Sequence, residues 1–212
     1  MMICHSSSPL VAISRHRIYT DGEGVTTLVV FHGCPLSCPY CINPECKTEK
    51  GVWETMTPEK LLETVRIDNL YFLATHGGIC FGGGEPLLRS RFINEFCEIA
   101  PPKWQISLET SLNVAPELLQ DVAPHIHSFI IDIKDMNPEI YRNYTGHDNR
   151  YVLENLKWLI SADRKNDVVI RLPLIPGYNT DSDRDNSERV LRKMGFDVFE
   201  RFNYIKDIRQ LK

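Results

Sequence analysis

The chain has 212 residues, enough for one domain with a sizeable core and no disulfide staples. Lys and Arg number 24 against 28 Asp and Glu, a formal net charge of −4, so the chain carries no basic footprint for nucleic acid. Seven cysteines, an odd number with three in one short loop, exclude a secreted disulfide framework and fit a reducing cytosol; we expect no signal peptide and no membrane span.

In chain order, residues 10–19 read as a strand and Thr20-Asp21-Gly22-Glu23-Gly24 as a turn. Residues 25–32 are β-branched and bounded by glycine, the pattern of a buried strand. Cys34-Pro35-Leu36-Ser37-Cys38-Pro39-Tyr40-Cys41 follows as a loop. Thr57 caps a helix opened by Pro58. Residues 77–86 give a short strand that ends in a tight glycine turn, with a helix over 90–99 beyond it. Strands at 104–109, 128–133, 168–175 and 198–204 then alternate with helices at 116–122, after Asn137-Pro138-Glu139, at 151–160 and at 182–194. Six β units separated mostly by helices imply a parallel sheet covered on both faces. The expected class is α/β, a partial (β/α)6 TIM-like barrel or a doubly wound sheet. One domain is expected over 1–212, with an N-terminal extension or strand over 1–20 and a short tail over 205–212.

The chemistry concentrates in the cysteine loop. Three thiols at C-x3-C-x2-C spacing can wrap one centre. A fully tied iron–sulfur cube takes four thiolates, so three leave one iron open. Zinc is the other reading, closed by His32 or Cys46 as fourth ligand. In parallel α/β folds the working residues sit at the C-terminal ends of strands. Gly83-Gly84-Glu85, Glu109-Thr110-Ser111, Asp132 with Lys134, Arg171, and Asn203 with Tyr204 all fall at or near such ends, which predicts one shared mouth. No Lys-Ser or Lys-Thr follows the glycines, which argues against a nucleotide P-loop. Asp132 and Lys134 lie two apart on a strand, hence on one face, where they can also pair with each other.

The set resembles the radical S-adenosylmethionine superfamily, and within it the glycyl-radical-enzyme activating enzymes. The resemblance rests on Cys34, Cys38, Tyr40 and Cys41, on Asp21 to Gly24, on Gly82 to Leu87, and on Asp132-Ile133-Lys134. Tyr144-Thr145-Gly146, Leu153 to Leu156 and Arg171 to Asn179 complete it, in order, over about residues 18 to 180. The chain departs from the family at Glu23, where proline is common, and near Thr26, where arginine is. It departs again at Phe202-Asn203-Tyr204-Ile205, where many members read Leu-Pro-Tyr-His. Cys4, Cys46, Cys80 and Cys97 are too scattered for a second cluster and read as buried or surface thiols.

The resemblance implies an oxidoreductase in which Cys34, Cys38 and Cys41 hold a [4Fe–4S] cluster, with S-adenosylmethionine on the open iron. It implies Tyr40, Gly83, Gly84, Glu85, Glu109, Asp132, Lys134 and Arg171 as cofactor contacts, the glycine backbone at the methionyl amine, and Lys134 and Arg171 at its carboxylate or ribose. Glu109, Thr110 and Asp132 are candidate ligands for a small monovalent cation, as in some relatives. Reductive cleavage of the C5′–S bond would give a 5′-deoxyadenosyl radical that takes hydrogen from a glycine of a partner glycyl radical enzyme. Flavodoxin or ferredoxin is the implied electron donor; neither nucleic acid nor membrane is an implied partner. The competing readings are a radical enzyme that modifies a peptide or small molecule, and a zinc-stabilised module without turnover.

Overall fold

A computed structural model describes residues 6–204. Cys4 and the expected tail over 205–212 lie outside the described residues. The strands are β1 (Ser8–Ile18), β2 (Val25–Phe31), β3 (Glu54–Met56), β4 (Gly78–Gly83), β5 (Gln105–Thr110), β6 (Ser128–Asp132), β7 (Val168–Leu174) and β8 (Phe199–Asn203). The helices are α1 (Pro58–Val65), α2 (Asn69–Thr75), α3 (Ser90–Ile99), α4 (Pro116–Val122), α5 (Pro138–Thr145), α6 (Arg150–Ser161) and α7 (Asp181–Met194). The α/β class expected from the sequence holds. Among the described residues no helix is long and apolar enough to cross a membrane.

The chain divides into two compact units. The first takes the residues up to Pro35, then Asn43–Thr110 and Val114–Ile130. The second takes Leu36–Ile42, Ser111–Asn113 and the residues from Ile131 onward. Strand β6 contributes to both.

In the first unit the strands run in the order β3-β1-β2-β4-β5-β6. Strand β2 is parallel to β4, and β4 to β5. Strands β1 and β3 are added antiparallel on the other side of β2. Every residue of β2 after Val25 is buried, as expected of a β-branched strand paired on both edges. The core beside it is aromatic: Phe31 lies 5.6 Å from Phe81 and 5.5 Å from Phe92 between ring centres, and Phe81 lies 5.4 Å from Phe96. Helix α1 starts where the sequence places it, with the Thr57 side chain accepting from the Lys60 N–H, and buries Leu61 and Val65.

In the second unit β7 and β8 are parallel, and the chain leaving β6 joins them through Ile133 N–H, which donates to the Arg171 carbonyl at 3.0 Å. Asn137 caps α5 by accepting from the N–H groups of Glu139 and Ile140. Thr180 and Asp183 close a capping box on α7. Leu156, Leu159, Ile170, Leu172 and Leu191 are fully or almost fully buried here.

Two elements escape the sequence reading. Helix α2 buries only Phe72 and exposes Leu70, Tyr71 and Leu73, so it has no apolar stripe at helical spacing. Strand β3 is three residues long and is defined by pairing with β1, which no local pattern announces.

Candidate active site

In the first unit the glycine turn after β4 is bound to the backbone that leads into Cys34. Gly84 N–H donates to the Phe31 carbonyl at 2.9 Å, and Glu85 N–H to the Gly33 carbonyl at 2.7 Å. The Asn43 side-chain amide donates to the Gly83 carbonyl at 3.2 Å. Gly33 N–H donates to the Cys46 carbonyl at 2.7 Å, and Arg89 to the His32 carbonyl at 3.1 Å. Glycine is required here by contact. Gly83 has φ +97°, and a Cβ on it would lie 2.4 Å from the Val30 side chain; one on Gly84 would lie 2.2 Å from the Gly33 carbonyl oxygen.

The carboxylate of Glu85 faces inward. It is fully buried, accepts from the Leu87 N–H at 3.3 Å and takes the Thr110 hydroxyl at 2.6 Å. Glu85 thus shapes the turn with its side chain. Glu109 folds over Gly82, where a Cβ would meet its side chain at 3.2 Å.

In the second unit Cys38, Tyr40 and Cys41 come from the cysteine loop, Asp132 from the last position of β6, Lys134 from the chain just after it, and Arg171 from β7. Ser37 N–H ties the loop to the Thr145 carbonyl at 2.8 Å. The Tyr40 ring centre lies 6.4 Å from that of Tyr144 and 6.0 Å from that of Tyr178, and Tyr144 lies 5.0 Å from Tyr178. Lys134 is 8 % exposed. Its ammonium donates to Asp132 Oδ2 at 3.1 Å and to the Tyr204 hydroxyl at 2.9 Å. Burial opposes that charge, but Asp132, Tyr204 and the Cys38 sulfur outweigh it and hold the Lys134 pKa well above the ordinary lysine value. Burial raises the Tyr204 and Tyr144 phenols as well, so both stay neutral near pH 7. Asp132 Oδ1 is buried without a hydrogen-bond partner. Arg171 stands opposite Glu200 in the β7–β8 register and donates to it at 2.9 Å.

The cysteine loop crosses between the units, with Cys34 in the first and Cys38 and Cys41 in the second. All three carry thiols rather than disulfides and are half-buried. Among the described residues no three His, Cys, Asp or Glu side chains are gathered closely enough to hold a metal ion. Of the two candidates for a fourth zinc ligand, His32 places Nε2 at 2.9 Å from the Thr48 carbonyl oxygen, and Cys46 is fully buried. Each of Cys34, Cys38 and Cys41 keeps the thiol that an iron–sulfur cluster takes as its ligand type. From the sequence Tyr204 is placed at the shared mouth but given no role; the structure pairs it with Lys134. The signal for its role is that position 204 keeps the tyrosine of the family pattern while the residues on either side of it depart.

The family model of the Radical SAM superfamily matches residues 28–189. The (2S)-3-sulfopropanediol dehydratase activating enzyme of Klebsiella oxytoca is 28% identical over 86% of this chain and 77% of its own length. The pyruvate formate-lyase-activating enzyme of Staphylococcus aureus (strain USA300) is 29% identical over 77% of this chain and 67% of its own. Among solved structures, Streptococcus suis SuiB bound to S-adenosylmethionine superposes with a TM-score of 0.64 at 12% identity, over 82% of this chain. The chain spans only 39% of SuiB, and the likeness is one of fold: the α/β partial barrel. With the family model covering most of the sequence, and the glycine turn bound to the backbone ahead of Cys34, the chain belongs to the radical S-adenosylmethionine superfamily.

Proposed function

We propose that the chain is a glycyl-radical-enzyme activating enzyme, which generates a glycyl radical on a partner protein. The observation that carries this is the ordered likeness to named activating enzymes, at 28% and 29% identity over most of the chain. The family model runs through both compact units, which supports reading them as one radical S-adenosylmethionine domain.

In this reading Cys34, Cys38 and Cys41 would hold a [4Fe–4S] cluster, and Gly83 and Gly84 would offer backbone to S-adenosylmethionine. When bound, the two groups would supply one-electron cleavage of the C5′–S bond and so the means to take a hydrogen atom from a substrate. The chain's own part is to bind and orient. Glu85 and Thr110 fix the glycine turn from below. Lys134 presents a permanent positive charge suited to a carboxylate or to ribose oxygens. Tyr40, Tyr144 and Tyr178 give an apolar wall that limits water. Flavodoxin or ferredoxin is the proposed electron donor. A cytoplasmic setting is proposed from the six described cysteines, all of which carry thiols.

The test is anaerobic reconstitution followed by iron and acid-labile sulfide analysis, then reduction in the presence of S-adenosylmethionine. Iron, sulfide and 5′-deoxyadenosine are expected, and a glycyl signal by electron spin resonance when the right partner enzyme is added. Zinc without sulfide would end the radical reading. Cleavage that never yields a glycyl signal with any candidate partner would favour a peptide or small-molecule substrate.

A further inference from the structure

Just past the last strand, Tyr204 sets a phenol against Lys134, the one lysine buried among the described residues of the second unit. Lys134 Nζ is 2.9 Å from the Tyr204 hydroxyl oxygen and 5.6 Å from the ring centre. Those two lengths place the ammonium beyond the hydroxyl edge of the ring and not over its face. The contact is therefore a hydrogen bond rather than a cation–π interaction. Tyr204 is itself held: its N–H donates to the Leu174 carbonyl at 2.9 Å, and its ring packs 5.4 Å from Phe202 and 6.2 Å from Tyr144.

A lysine ammonium carries three donors on a flexible stem. Here one goes to Asp132 Oδ2 and one to Tyr204, and these two bonds direct the third. Without the phenol oxygen only Asp132 would hold Nζ, and the ammonium would swing toward that carboxylate. We propose that Tyr204 is a positioning residue, which aims the Lys134 ammonium at the carboxylate or ribose oxygens of S-adenosylmethionine. This rests on the reading of Lys134 as a cofactor contact given above.

The test is a double-mutant cycle on reconstituted holoenzyme, read as the Kd for S-adenosylmethionine by equilibrium dialysis. Tyr204→Phe removes the oxygen and keeps the ring. It should weaken binding by about tenfold, the scale of a lost hydrogen bond to a charged group. The KM for the cofactor should rise in step while kcat for its cleavage stays within about twofold. On a Lys134→Met background the same Tyr204→Phe change should have no further effect on Kd, because the residue acts through the lysine. The proposal is overturned if Tyr204→Phe binds as the parent does, or if the two single effects simply add. It also falls, together with the reading of Lys134, if Lys134→Met alone leaves Kd unchanged. A wild-type holoenzyme that binds no S-adenosylmethionine would instead strike at the cofactor assignment itself. Equal melting temperatures for parent and Tyr204→Phe would show that a binding loss is not a folding loss.

Discussion

The Thr110 hydroxyl donates to Glu85 Oε1 across 2.6 Å, and both residues are buried, with exposures of 3 % and 0 %. The bond ties the end of β5 to the turn that follows β4. Thr110→Val keeps the shape but withdraws this donor from a buried carboxylate, at a cost of about 1–3 kcal/mol. In a chain of this size that is a fall in melting temperature of about 3–10 °C, readable by calorimetry. Thr110→Ser, which retains the hydroxyl, should lose markedly less.

The glycine turn should tolerate no side chain. Gly83→Ala places a Cβ 2.4 Å from Val30 Cγ1 at a φ of +97°, and Gly84→Ala places one 2.2 Å from the Gly33 carbonyl oxygen. Rotating Val30 would not relieve the first, because Val30 Cα lies 2.8 Å from the same Cβ, and the second is with backbone. Each variant should give reduced soluble yield, and the protein recovered should bind S-adenosylmethionine at least about tenfold more weakly. Normal yield and affinity for either would remove the turn from the site.

Lys134 makes a prediction about pH. Its folded-state pKa is raised above the ordinary lysine value by Asp132 and Tyr204 against the opposing effect of burial. The stabilisation it brings is therefore fully present below the unfolded lysine value of about 10.4 and is lost only as pH rises beyond it. Stability and cofactor affinity should show no loss attributable to this group between pH 7 and about 9.5. Lys134→Met should lower the melting temperature across that whole window, since it leaves Asp132 without its cation, at a cost of about 2 kcal/mol.

A second titration tests the N-terminal end of the described chain. The Ser6 hydroxyl and N–H donate to Glu95 Oε2 at 2.6 and 2.8 Å, and Arg91 donates to Oε1 at 2.8 Å. The Ser6 hydroxyl is the main reason the Glu95 carboxyl is lowered to about 2. The contact should hold above the ordinary glutamate range and loosen as pH falls through about 2. Carboxyl-detected NMR should place the titration there, and Ser6→Ala should move it back up.

The cysteine thiols provide a test by counting. Alanine at Cys34, Cys38 or Cys41 should each abolish iron and sulfide incorporation while the melting temperature of the apo-protein changes little, since all three are half-buried. Cys97→Ala should leave metal content intact. The Cys97 thiol is pushed up to about 12, mainly by burial, which makes it a poor ligand and a slow nucleophile near neutral pH.

Much of this was readable beforehand, and for local reasons. Thr57-Pro58 and Asn137-Pro138 announce α1 and α5 because a capping oxygen and a pre-set proline φ act within one turn. The β-branched run of β2 and the glycines after β4 likewise carry their own explanation. The family resemblance implies Arg171 as a cofactor contact, but the sequence does not show its cross-strand partner, because Glu200 is 29 positions away and becomes a neighbour only through the β7–β8 register. The same holds for Tyr204 and Lys134, which are 70 positions apart. Glu85 was legible as part of the motif, while the inward turn of its carboxylate depends on Thr110 from the next strand.

The five places where the backbone passes from one unit to the other, after residues 35, 42, 110, 113 and 130, have a consequence for synthesis. Neither unit is a contiguous segment, so no truncation or split-gene expression can deliver one of them whole. On a ribosome, residues 36–42 emerge early and must wait for most of their own unit, which begins at Ile131. That delay predicts slow maturation and a nascent chain with exposed thiols, dependent on a reducing milieu until the residues from Ile131 onward have been made.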